Sequence, residues 1–147
     1  MEKYVSIKKQ EPYYQLLLAK ALLFRQDFEF PKDTDDLNTR NIKFESIKKN
    51  YIRASKLFQK NITFLENVTP NDKNLGTWYF LWALAEWFSE NREKAISLFE
   101  ISVQMDSGLR EAYFNISIIY LSLNKRFESD LYLKKYNKHK EVTDEYK

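Results

Sequence analysis

Apolar residues recur at three- and four-residue steps in six blocks separated by polar stretches, the pattern of amphipathic helices packed on one another. The first block runs from Glu11 to Phe28, with Tyr14, Leu17, Leu18, Ala21, Leu22 and Leu23 as its stripe and Lys20 and Arg25 off it. Between Asp27 and Asn41 the period dissolves around Pro31, Asp33, Asp35, Asp36 and Asn38, which reads as an inserted loop at about 27–41 with turn or cap chemistry. Periodicity returns at Ile42 and holds through Ile47, Tyr51, Ala54, Leu57, Phe58, Ile62 and Leu65, so the second helix is long and stops at the turn residues Thr69 to Asp72. The same spacing predicts a third helix from about Asn74 to Ser89 and a fourth from Arg92 to Met105, closed by Asp106-Ser107-Gly108. A fifth covers about Leu109 to Leu123 and a sixth Arg126 to Asn137, and residues 138–147 read as a fraying helix end or disordered polar tail.

The last four blocks repeat as pairs. Tyr79 and Tyr113, Trp82 and Ile116, Ala83 and Ser117, Ala95 and Ser129, and Phe99 and Leu133 each stand 34 positions apart. A helix hairpin has an apolar face that it cannot bury alone, and small residues such as Ala83, Ala95, Ser117 and Ser129 belong where two helices approach closely.

On these residues Thr77 to Tyr136 resembles two tandem tetratricopeptide repeats, 74–107 and 108–137, with Tyr120 on a further packing position of the second. A degenerate upstream pair over 11–68 matches more loosely, with Tyr51, Ala54 and Phe58 in its second helix and Leu18 and Ala19 available to its first. Glu86 departs from the aromatic that the family prefers, Ser107 from a frequent proline, and the loop before Ser129 reads as one residue longer. The resemblance implies a single all-α domain over 1–147, about six helices in antiparallel hairpins stacked as a short right-handed superhelix with a concave, partner-binding face. It places Thr77, Phe80, Leu84, Trp87 and Phe88 on the inner wall of one repeat, and Glu111, Phe114, Ile118 and Leu121 on that of the next.

Four aromatics on such a wall could expose ~600–1000 Å², more than the ~300–600 Å² of the largest patch on a typical monomer. A cover is therefore expected: the N-terminal helix or inserted loop, a second copy of the chain, or a partner. A carboxylate clamp is argued against, because the places where some members carry Lys, Asn and Arg hold Phe80, Leu84, Glu111 and Asn115.

The 147 residues suit one domain that needs no disulfide or metal to hold its core, and only 2 Gly and 3 Pro fit a helical chain. With no Cys and a single His, His139 in the polar tail, nucleophilic or imidazole catalysis has no candidate, so no enzyme and no cofactor is expected. Asp33, Asp35, Asp36 and Asn38 lack the glycine turn and closing Glu of a calcium loop and read as helix capping, leaving no metal site. The 24 basic and 21 acidic residues are interleaved, so the basic groups Lys8-Lys9, Lys48-Lys49, Lys134-Lys135 and Lys138 to Lys140, near Tyr4, Tyr51, Tyr132 and Tyr136, read as solvated faces more than as a nucleic-acid groove. No stretch reaches the ~20 apolar residues of a membrane span, and the start lacks the apolar core of a leader. The expected setting is therefore the cytoplasm, or the periplasm if a leader has been removed, and the coding bias toward Lys, Asn, Ile, Phe and Tyr suggests a bacterial source.

The expected function is that of a scaffold or adaptor engaging a protein or peptide through Phe80, Leu84, Trp87, Phe88, Phe114, Ile118 and Leu121. The alternatives are a nucleic-acid-associated repeat protein, or a structural homo-oligomer such as a homodimer that uses the same aromatic face.

Overall fold

A computed structural model describes residues 2–25 and 30–145, with side chains described for 11–25 and 30–139. All of its regular structure is helical: α1 (Glu2–Leu23), α2 (Leu37–Val68), α3 (Leu75–Phe88), α4 (Arg92–Met105), α5 (Glu111–Ser122) and α6 (Arg126–Glu145). The helices pair as the hairpins α1–α2, α3–α4 and α5–α6, and the hairpins stack in chain order, α2 on α3 and α4 on α5. Leu16, Phe58, Ile62, Leu65, Phe99, Ile116 and Ile119 are wholly buried along one continuous core.

The 34-residue period is a property of the backbone as well as of the side chains. The turns after α3 and α5 are equally long, and each holds a residue in the left-handed region, Glu90 at φ 70° and Asn124 at φ 59°. Their hydrogen bonds match one for one: Glu90 N–H to Trp87 and Asn124 N–H to Leu121, then Asn91 N–H to Glu86 and Lys125 N–H to Tyr120. No extra residue therefore precedes Ser129, contrary to the sequence expectation. Asp72 and Asp106, also 34 apart, cap in the same way, their carboxylates accepting from Asn74 N–H at 2.8 Å and Gly108 N–H at 2.9 Å. This equivalence sets Asn61 and Leu65 one period before Ala95 and Phe99, while Ala54 and Phe58 lie one heptad earlier on the same buried face.

Small residues bring the paired helices together. Ala83 and Ala95 are fully buried, and at the equivalent place the Ser117 and Ser129 hydroxyls meet at 3.0 Å, each satisfying the other in the core. Gly76 does the same where α3 begins, since a Cβ there would lie 3.2 Å from the Ser102 carbonyl and 3.1 Å from the Asp106 Cβ.

The ends of α2, α6 and α1 differ from expectation. Helix α2 starts five residues before Ile42, because the Asp36 carboxylate accepts from Thr39 N–H at 2.7 Å and caps a polar first turn that periodicity could not register. Helix α6 runs through the expected tail to Glu145. Helix α1 spans Glu2–Leu23, and its buried positions are Leu16, Ala19, Leu22 and Leu23. Tyr14, Leu17 and Leu18, expected in the core, are exposed: the helix is apolar on two sides, and packing on α2 selects the one that carries small Ala19. Residues 26–29 of the expected loop lie outside the described residues.

Adjacent residues test that choice of face. Leu16→Ala should lower the unfolding free energy by ~2–5 kcal/mol and Leu17→Ala by no more than ~0.5 kcal/mol, measured by urea denaturation of dilute protein. Equal losses would mean that α1 packs through both sides.

Candidate interaction surface

The seven expected contact residues divide by repeat. Phe80, Leu84 and Trp87 on α3 are half-buried against the core, and the Phe80 ring meets Phe99 edge-on at 5.2 Å. One period on, Phe114, Ile118 and Leu121 of α5 are 41, 42 and 53% exposed, and Phe88 at the end of α3 is 40% exposed. The wall is thus half closed by its own packing, and its open part lies on α5. There Phe114, Ile118 and Leu121 stand at i, i+4 and i+7, one stripe of a helix whose opposite side places Ala112, Ile116 and Ile119 in the core. Tyr136 of α6 borders this stripe, 5.4 Å from the Phe114 ring, with the Arg110 guanidinium over its other neighbourhood at 5.7 Å.

Phe88 belongs to a separate recess that sequence reasoning missed. Lys48 of α2 reaches Glu90 in the turn after α3 at 3.0 Å, so the helical residues before it, Leu37 to Ile47, run past the end of α3. The recess of about 350 Å³ so formed is lined by Phe30, Phe44, Ile47, Tyr51 and Phe88, with Lys48, Glu45 and Glu90 at its edge. The Tyr51 and Phe88 rings are 5.0 Å apart. Phe30 brings the end of the loop beside the recess at Phe88, and none of the lining places the loop over α5.

A buried carboxylate holds the end of α3 where Trp87 and Phe88 project. Glu86 is 2% exposed and accepts hydrogen bonds from Ser55 of α2, from Trp82 Nε1 at 3.1 Å and from Asn91 Nδ2 at 2.7 Å, with Lys94 Nζ at 3.5 Å. A charge thus ties three helices at this point. Burial pushes its pKa up, but the Ser55, Asn91 and Trp82 hydrogen bonds and the Lys94 charge together outweigh burial and leave it below its ordinary value. Tyrosines join the hairpins in a related way: Tyr13 donates to Asp72 at 2.8 Å, Tyr79 to Glu66 and Tyr132 to Glu100. Burial first, then the carboxylate beside it, raises the pKa of Tyr79 and of Tyr132, so both stay neutral donors.

The remaining candidates resolve into structural work. Asp35 accepts from Lys32 N–H and pairs with Lys43 at 2.8 Å, so the acidic loop is committed to capping and ion pairing. Among the described residues no group of three or more His, Cys, Asp or Glu is arranged to hold a metal ion. His139 is not a solvated tail residue: it sits on α6 with its ring 5.2 Å from Tyr113. Of the basic pairs, Lys48 faces Glu90 and Lys135 lies 4.4 Å over Tyr132, while the side chains of Tyr4, Lys8, Lys9 and Lys140 lie outside the described residues. Among the described residues no helix is long and apolar enough to cross a membrane.

No protein-family model matches the chain, and no curated protein matches it. A solved structure described as "MamA RS-1 ArsTM double mutant" is similar over 98% of this chain and 83% of that one, at 14% identity and a TM-score of 0.49. A likeness of that size carries no argument, and the helical-repeat fold rests on the 34-residue correspondences within this chain.

The Glu86 network predicts a signed pH dependence. A carboxylate whose folded pKa lies below its unfolded value of about 4.5 contributes stability in full above that pH and loses it as pH falls through the folded value. Glu86→Gln should cost ~1–3 kcal/mol at neutral pH, and its deficit against the wild type should shrink in urea titrations as pH is lowered from about 6 to about 3, through the range in which carboxylates titrate. A deficit independent of pH would mean that the network does not depend on the charge.

Proposed function

We propose that this chain is a protein-interaction scaffold that seats an apolar segment of a partner protein along α5, against Phe114, Ile118 and Leu121, and that it is a binding protein and not an enzyme. The supporting observation is a single one: these three side chains form a continuous stripe, half in water, on a helix held rigidly from behind. Their equivalents Phe80, Leu84 and Trp87 are half-buried, so the array offers its open apolar surface toward its C-terminal end. A preformed stripe of this kind binds by burying side chains and orders nothing of its own, which favours an apolar helix or extended segment as the guest. Lys48, Lys94 and Lys135 already face Glu90, Glu86 and Tyr132, and that speaks against the alternative of a nucleic-acid groove.

The test is site-specific photo-crosslinking in the producing cells, with benzoylphenylalanine replacing Ile118. An adduct of one copy of the chain with a different protein is expected, identified by mass spectrometry. Its yield should fall more than ~tenfold when Phe114→Asp and Leu121→Asp are added, since each lost side chain is worth ~1.5–3 kcal/mol of burial. No adduct, a nucleic-acid adduct, or an adduct insensitive to both substitutions would overturn the proposal.

A further inference from the structure

The first hairpin departs from the contact that closes the other two. Where α3–α4 buries Ala83 and Ala95, and α5–α6 joins the Ser117 and Ser129 hydroxyls, the equivalent place on α2 holds Asn61, and α1 meets it with Gln15. Two amides stand where the repeat elsewhere has small side chains. Beside them lies a recess of about 360 Å³ lined by Glu11, Pro12, Gln15, Lys60, Asn61 and Phe64, within the ~300–1000 Å³ range of small-molecule sites. Asn61 is 4% exposed and commits both amide hydrogens inside the chain, to the Leu57 carbonyl and to Gln15 Oε1, each at 2.8 Å. Because the Leu57 carbonyl can only accept, the amide has one orientation, and Asn61 Oδ1 has no donor among the described residues. That oxygen is not sealed in the core: the side-chain polar atoms sealed without a partner among the described residues belong to Arg40, Trp78 and Arg110. It opens on the recess, and a nearly buried acceptor so placed takes its donor from whatever fills that space.

We propose that this recess binds a free α-amino acid with an apolar side chain. Its lining has the chemistry that complements a zwitterion. Asn61 Oδ1 accepts, and the Glu11 carboxylate, which takes a single long bond of 3.3 Å from Gln15 Nε2, accepts with charge, so the two suit an ammonium group and its three donors. The Lys60 ammonium and the second hydrogen of Gln15 Nε2 are the donors of the lining, suited to a carboxylate. Glu11 and Lys60 line one recess, yet neither forms an ion pair among the described residues, so both charges are available to a ligand. Phe64, one helical turn after Lys60 and 45% exposed, and the Pro12 ring give the ligand's side chain an apolar wall. An amine or an acid alone would use one of the two charges, and a peptide's first residue would offer Lys60 a neutral amide in place of a carboxylate. The site lies on α1 and α2 and shares no residue with the α5 stripe.

The test is isothermal titration calorimetry of the full chain with L-leucine, L-methionine and L-phenylalanine up to about 10 mM, tenfold above a Kd of ~1 mM. At least one of them should bind saturably. The amide of that amino acid, which lacks the carboxylate, and its N-acetyl derivative, which lacks the ammonium, should each bind more weakly by about tenfold or more. Glu11→Gln and Lys60→Gln, both at exposed positions, should match the wild type in urea denaturation and each lower the affinity by about tenfold. Lys60→Gln should also cease to distinguish the amino acid from its amide, which a purely structural role of Lys60 would not produce. Asn61→Ser, which gives the first hairpin the residue found at the equivalent place in the third, should stay folded and lose the binding. No saturable binding of any of the three, an amide bound as tightly as its amino acid, or an affinity unchanged in both Glu11→Gln and Lys60→Gln would overturn the proposal.

Discussion

The close approach of paired helices at small residues is the constraint on which the rest of the structure depends. Where Ala83 meets Ala95, and where the Ser117 and Ser129 hydroxyls bond each other, the axes can come near enough for the large neighbours to interdigitate. Phe99, Ile116 and Ile119 are fully buried on the helices that carry these small residues. The equal turns that follow, with their matching hydrogen bonds around Glu90 and Asn124, fix the second helix of each pair in the orientation that contact needs.

Apolar packing alone leaves the order and spacing of hairpins weakly specified, and polar groups between them supply the rest. Tyr79 donates to Glu66 across the first junction, and Tyr132 to Glu100, the carboxylate one period later, across the second. Glu86 joins α2, α3 and the start of α4 with donors on every side. A buried charge satisfied in this way contributes little net stability compared with an apolar substitute, but it penalises every arrangement that leaves it without its donors. That makes it suited to holding the end of α3, where Trp87 and Phe88 are displayed.

A stack of hairpins has two ends, and each end shows the face that a further repeat would cover. The two faces differ. The α5 stripe of Phe114, Ile118 and Leu121 is short and bordered by Tyr136 and Arg110. The α1 stripe of Tyr14, Leu17 and Leu18 lies on the outward side of that helix, opposite the residues packed on α2.

The sequence by itself determined the helical class, the limits of α4 and the hairpin repeat, because each rests on local spacing: apolar steps of three and four, and small residues recurring every 34 positions. What it left open was every choice between faces. Helix α1 is apolar on both sides, so periodicity held two solutions, and only the surface of α2 decided that Leu16 and Ala19 go inward while Tyr14, Leu17 and Leu18 go out. Phe80, Leu84 and Trp87 share their period with Phe114, Ile118 and Leu121, yet their burial differs because neighbours along the stack differ. The recess at Phe88 exists only because α2 outruns α3, a fact of relative helix length and register that no single segment encodes. Spacing along a chain fixes which side chains share a face, and tertiary contact decides what that face meets.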